Sequence, residues 1–347
     1  MAQVLVSGGA GYVGAVLCRE LLARGHRVRA LDLLLYGAAP LSGLLCEPGF
    51  SLVAGDTRDP RALAEALDGA TAGVHLGELV GDPACAANEA LARQINGAAT
   101  RRVIEAAAAS GIRRFVYTSS CSVYGAAVGV VDEASPTAPL SPQARLKLAA
   151  EAALLARARP GFEPVVLRLA SLFGLAPRPR FDLLVNQLAA RAAAGRRVDV
   201  LGGAWRPFVH VRDAARAIAD ALEAPGPRVA GRVFNVGADA QNHTLRGVGE
   251  AILRVVPEAR LVPRVLTPDP RSYRVSFVRL AEALGFRPTD DLEAGVRELV
   301  AAVRSGRLGD YTAPCFHNQE ALADPAVQRR LRRPLGASEP LAPELAR

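Results

Sequence analysis

Along the chain, short apolar runs alternate with segments whose apolar residues recur every three or four positions. The run QVLVSG (3–8) predicts a first strand, and GYVGAVLCRELLARG (11–25) a helix stopped by Gly25. Further strands are expected at RVRALD (27–32), SLVAGD (51–56), AGVHLG (72–77), RRFVYTSS (113–120) and PVVLRLASLFG (164–174). Between them stand helical segments: DPRALAEALDG, a long one over about 88–110, and one that begins near Pro142. Such alternation predicts an α/β fold with a parallel, doubly wound sheet.

Past residue 175 or so the period loosens. Helices are expected near 181–195, 211–224, 245–256 and 291–305, parted by the Pro/Gly-rich stretches PRPRF and GGAWRPF. This divides the chain into a nucleotide-binding domain (1–174) and a smaller substrate-binding region (175–318) interleaved with the last strands. An irregular tail (319–347) would follow. No internal repeat is visible.

Composition narrows the function. With 347 residues, half of them hydrophobic, a large core is available. No apolar run reaches the roughly 18–20 residues needed to span a bilayer. The first apolar run meets a glycine turn at once and has no basic stretch before it, so it reads as a strand and not as a leader. Five scattered cysteines without a CxxC pair argue against a disulfide framework or a zinc site, and a reducing cytoplasm is the expected location. The net charge of +8 is spread among acidic residues, and aromatics are only 5%. That pattern points away from nucleic acid and towards anionic small molecules. Among 42 Lys plus Arg there is a single lysine, Lys147. Its compact ammonium does what a forked guanidinium cannot do in a tight site.

The segment SGGAGYVG spaces Gly8, Gly11 and Gly14 between a strand and a helix, with Tyr12 and Val13 inside the turn. Glycines there allow a tight turn and close approach to a pyrophosphate at the helix N-terminus. Asp32 ends the second strand 18 residues after Gly14. A carboxylate there accepts both ribose hydroxyls and repels an added 2′-phosphate, so NAD is expected over NADP. GDTRD places Asp56 and Thr57 after the third strand, Asp56 towards the adenine amino group. Leu76 ends the fourth strand on the same side.

Taken in order with SSCSVYG and SPQARLK, these motifs resemble extended short-chain dehydrogenases/reductases. Within that group the chain resembles the NAD-dependent nucleotide-sugar epimerase/dehydratase family, from residue 1 to about 318. The stretches HLGELVGDPAC, INGAAT, RFDLLVN, WRPFVHVRDAARA, FNVG and RSYRVSF also fit it. The resemblance implies a Rossmann-type fold, bound NAD and a nucleotide-sugar substrate. It also implies a homodimer formed through the helices near 88–110 and 142–158. Carried over by position, Ser120 is the catalytic serine, and Lys147 is the lysine that binds the nicotinamide ribose. Gln143 stands where the family has its catalytic tyrosine. Cys121 and Ser122 occupy the places where sugar 4,6-dehydratases carry an acidic pair, which points to epimerase- or oxidoreductase-like relatives. Arg206 and Arg271 match arginines that clamp the nucleotide diphosphate, and Asn186 matches a nucleotide contact.

A glutamine amide neither gives nor takes a proton usefully near neutral pH. Three readings of the proton step stand open. In the first, Glu78 supplies it: the family's fourth strand ends His-Leu-Ala-Ala, whereas here it runs His75-Leu76-Gly77-Glu78, with a carboxylate beside the expected nicotinamide. In the second, water or substrate groups move the proton. In the third, the chain binds NAD for a non-redox step or a regulatory or scaffold role. Tyr117 and Tyr124 are expected to pack in the core, Cys121 to be a buried, inert thiol, and the five histidines show no ligand spacing.

Overall fold

The computed structural model describes residues 2–264 and 271–332. Seven parallel strands form its main sheet: β1 (Gln3–Ser7), β2 (Arg27–Asp32), β3 (Phe50–Ala54), β4 (Ala72–His75), β5 (Arg114–Ser120), β6 (Glu163–Leu169) and β7 (Arg232–Val236). Their spatial order is β7-β6-β5-β4-β1-β2-β3. From β1 the chain first builds outward through β2 and β3, then crosses back to lay β4 on the other side of β1. The order therefore reverses between β1 and β4, and a crevice opens at their carboxyl ends. Strands β5 and β6 are buried on both faces, which is why they read as continuous apolar runs and not as alternation.

Helices cover both faces of the sheet. Helix α1 (Gly14–Ala23) follows β1 directly. Helix α2 (Pro60–Leu67) is started by proline at its first position and by Asp59, whose side chain accepts from the Arg61 amide. The expected long helix over 88–110 is present but not uniform: Glu89–Ala92, a π-helical run Arg93–Ala99, then α3 (Thr100–Ala109). Helix α4 (Pro142–Leu155) has the same start logic as α2, with Ser141 accepting from the Ala144 amide and Pro142 behind it. This local signal fixes the register of Gln143 and Lys147.

The expected strand 164–174 breaks after Leu169. Its last part, Ser171–Phe173, leaves the main sheet and pairs with Trp205–His210 in a small one. The second region supplies α5 (Leu184–Ala193), α6 (Val211–Glu223), α7 (Leu245–Val255) and α8 (Leu292–Arg304), close to the expected positions. Because α6 packs on α1 and β7 joins the main sheet, the two regions are interleaved in space.

The tail, for which an irregular course is expected from residue 319, instead forms two helices, α9 (Asn318–Ala323) and α10 (Pro325–Leu331). Leu322, Val327 and Leu331 bury against Leu79, Cys85, Ala92 and Ile95. Asp324-Pro325 interrupts the apolar spacing between the two helices, so no single helical period runs through them. Residues 333–347 of that tail lie outside the described residues. No helix among the described residues is long and apolar enough to cross a membrane.

Candidate active site

The crevice between β1 and β4 widens into a cleft of about 370 Å³. Its floor is the glycine turn. Gly8 has φ +77°, and a Cβ on Gly14 would sit 2.0 Å from the Gly8 carbonyl oxygen. Gly11, Tyr12 and Val13 complete the turn and line the cleft. No side chain caps the N-terminus of α1, and no acidic residue lies in its first turn. This cradle, shaped by missing side chains, fits a pyrophosphate. Tyr12 donates its hydroxyl to the Gly174 carbonyl at 2.6 Å, fastening the turn to the second region.

Asp32 stands beside the turn. Its carboxylate accepts from the Ala10 amide at 2.9 Å and the Leu34 amide at 2.7 Å. Burial pushes its carboxyl above the usual range, and the two amides oppose that shift. Asp56, Thr57 and Leu76 also line the cleft. The Asp56 carboxylate is taken by its neighbour: the Arg58 amide and guanidinium both donate to it, the guanidinium at 2.6 Å. All the expected cofactor residues therefore share one cavity.

At the inner end of the cleft lie Ser120, Gln143, Lys147 and Glu78. Lys147 donates to the Thr118 carbonyl at 2.5 Å, and its ammonium lies 2.7 Å from Glu78 Oε2. The second contact is ionic without hydrogen-bond alignment, because Oε2 has no aligned donor. The other oxygen, Oε1, accepts from the Tyr117 hydroxyl at 2.8 Å and from Thr100 at 3.3 Å. Thr100 in turn lies 3.0 Å from His75 Nε2, and His75 Nδ1 lies 2.6 Å from the Ser7 hydroxyl. A buried polar chain thus runs from β1 to α4 beneath the cleft. Burial pushes His75 down to about 4, with Lys147 adding to the effect and Glu78 opposing it. Burial, then the Glu78 charge, pushes the Tyr117 phenol well above its ordinary value.

The remaining expected residues separate into two groups. Gln143 accepts from the Gly81 amide at 3.0 Å, Ser120 accepts from the Ser122 amide, and both face the cleft. Arg206 and Arg271 also line it, with Arg271 ion-paired to Asp82 and Arg206 donating to the Arg271 carbonyl. Asn186 is elsewhere. It is fully buried, accepts from the Gly174 amide and donates to the Arg180 carbonyl at 2.9 Å, so it braces a loop. Cys121 and Tyr124 are buried as expected. The Cys121 thiol meets the Arg168 carbonyl and is pushed up by burial, while Tyr124 donates to Asn235.

Residues 4–237 match the sequence pattern of the family described as NAD dependent epimerase/dehydratase. The chain belongs to that family. A dTDP-glucose 4,6-dehydratase of Streptomyces niveus is 30% identical over 342 residues, spanning 93% of this chain and 98% of the relative. A UDP-glucose 4-epimerase of Mycolicibacterium smegmatis is 31% identical over 320 residues, spanning 87% of this chain and 99% of the relative. Among solved structures, MoeE5 in complex with UDP-glucuronic acid and NAD superposes with a TM-score of 0.76 at 28% identity, covering 88% of this chain and 99% of that one.

Other residues of this epimerase/dehydratase site had no signal in the sequence. Thr100 and Ser7 join the chain that leads to Glu78 through hydrogen bonds that only the fold brings together. Asn96, inside the π-helical run, grips both the amide and the carbonyl of Leu79 and so positions the loop after β4. Arg178 and Tyr36 also line the cleft. Arg178 belongs to PRPRF, which reads as a plain loop, and nothing in its spacing marks it as part of a site.

Proposed function

We propose that the chain is an NAD-dependent epimerase or oxidoreductase acting at a hydroxyl-bearing carbon of a nucleotide sugar, with the Glu78–Lys147 pair doing the proton work of the absent tyrosine. The observation that carries this reading is the 2.7 Å contact between Glu78 and Lys147 at the inner end of the cleft, below Ser120 and Gln143. NAD, when bound, supplies a reversible hydride acceptor. When the substrate carbon gives up hydride, Lys147 would release a proton to Glu78 Oε2, 2.7 Å away, and take up the hydroxyl proton in its place. Net charge is conserved, and the reverse relay returns the proton. Ser120 and Gln143 orient the hydroxyl. Arg206 and Arg271, which line the cleft, suit a diphosphate, whose bidentate recognition favours guanidinium forks. Cys121 and Ser122, in place of an acidic pair, directly follow Ser120, and this favours epimerase-like over dehydratase chemistry. The homodimer implied by the family belongs to the same reading, and solution mass checks it.

The test is a panel of nucleotide sugars with the NAD-loaded protein, followed by transient NADH absorbance and by solvent-deuterium incorporation. Glu78→Gln should keep NAD and lose roughly 10²–10⁴-fold in turnover. Full activity in that variant would remove Glu78 from the mechanism. No signal from any sugar with the unaltered protein would remove the substrate class.

A further inference from the structure

Arg178 is 4% exposed and yet lines the cofactor cleft. Its guanidinium carbon lies over the Tyr36 ring, 3.5 Å from the centroid. One terminal nitrogen donates to the Cys315 carbonyl at 3.1 Å and to Asn318 Oδ1 at 2.7 Å. These are neutral acceptors. Among the described residues no carboxylate forms an ion pair with Arg178, and its Nε is buried with no hydrogen-bond partner. Asp32 and Asp182 attract it from a distance, while Arg180 repels it. Burial pushes the guanidinium down to about 10. A charge in this position is costly unless a counter-ion arrives.

The surroundings say which anion. Tyr36 follows β2 by four residues and Asp32 ends that strand, so Arg178 faces the side of the cleft built by β2 and the glycine turn. Arg206 and Arg271 line the same cleft, where Arg271 pairs with Asp82 in the loop after β4. We infer that Arg178 is a cofactor-binding residue that holds the pyrophosphate of the dinucleotide from above, opposite the Gly8–Gly14 turn. Tyr36 packs against the guanidinium. Asn318, which also donates to the Val80 carbonyl, buttresses it from the start of α9. The C-terminal helices thus have a role: α9 begins at Asn318, which holds the cation from behind.

Binding to the purified full chain, stripped of nucleotide, tests this by calorimetry with NAD, ADP and adenosine. Arg178→Gln should weaken NAD and ADP about 10–100-fold and leave adenosine within about twofold, since a charge-assisted bond to phosphate is lost. Arg178→Lys should recover part of the loss and keep a salt-dependent affinity. Equal weakening of all three ligands would reduce Arg178 to a structural brace and overturn the inference. So would unchanged NAD affinity in Arg178→Gln. If the unaltered protein binds NADP more tightly than NAD and Arg178→Gln erases that preference alone, the contact is to a 2′-phosphate, and the pyrophosphate assignment fails. A thermal melt without ligand separates unfolding from lost binding: removing a buried, unpaired charge should leave the apo-protein at least as stable.

Discussion

Glu78 and Lys147 meet 2.7 Å apart with side chains only 1% and 7% exposed. One comes from the loop after β4 and the other from α4, so the pair ties two elements that are remote in sequence. Its partners make it the hub of the polar chain under the cleft, with Tyr117 and Thr100 on one oxygen and the ammonium on the other.

Breaking the pair from one side leaves an uncompensated buried charge. Lys147→Ala and Glu78→Ala should each cost about 3–5 kcal/mol of stability. The double variant Glu78→Ala/Lys147→Ala should be more stable than the worse single one. Urea unfolding of the four proteins checks this, and additive losses would mean that the charges do not interact.

Gln143 holds the amide of Gly81, three residues beyond Glu78. Gln143→Tyr replaces that amide acceptor with a bulkier phenol in the same cleft. A net hydrogen bond of about 1 kcal/mol predicts roughly a 5–10-fold fall in turnover of the native substrate. A rise in kcat for the same substrate would instead show that Gln143 limits the chemistry.

Gly14 and Gly97 are opposite cases. A Cβ on Gly14 meets backbone at 2.0 Å, whereas on Gly97 the nearest atom is Leu146 Cδ2 at 3.4 Å. Gly14→Ala should lose about 1–3 kcal/mol of stability and most NAD affinity. Gly97→Ala should keep both. Thermal melts with and without NAD would read the contrast.

His75 gives stability a pH dependence. The folded imidazole takes its proton only below about pH 4, while an unfolded histidine takes one near 6.5. Between these values the unfolded chain binds the extra proton. The stability held by neutral His75 is therefore full above pH 6.5 and drains away as pH falls towards 4, by about 3 kcal/mol. His75→Gln should flatten that part of the curve in denaturant titrations at fixed pH values. An unchanged slope would assign the acid sensitivity to other groups.

Local signals carried much of the fold. The Ser141-Pro142 start places Lys147 in register, and the Gly8/Gly11/Gly14 spacing with Asp32 marks the cofactor turn before any contact is known. They work because backbone conformation and helix starts are decided by neighbours in sequence. The errors have an equally local cause. The strand expected to run to 174 stops at Leu169 because Ser171–Phe173 finds a different partner strand, and pairing is not visible in the run itself.

The sequence by itself determined the doubly wound sheet, the dinucleotide turn, and the presence of a lone lysine four residues after a glutamine. Only the tertiary structure decided what those residues do to one another. Glu78 is an ion-pair partner of Lys147, and Arg178 reaches the cofactor cleft from a proline-rich loop with the last helices behind it. Charges acquire partners and lose water through contacts between distant segments. No local pattern records that exchange, so burial and pairing had to come from the fold.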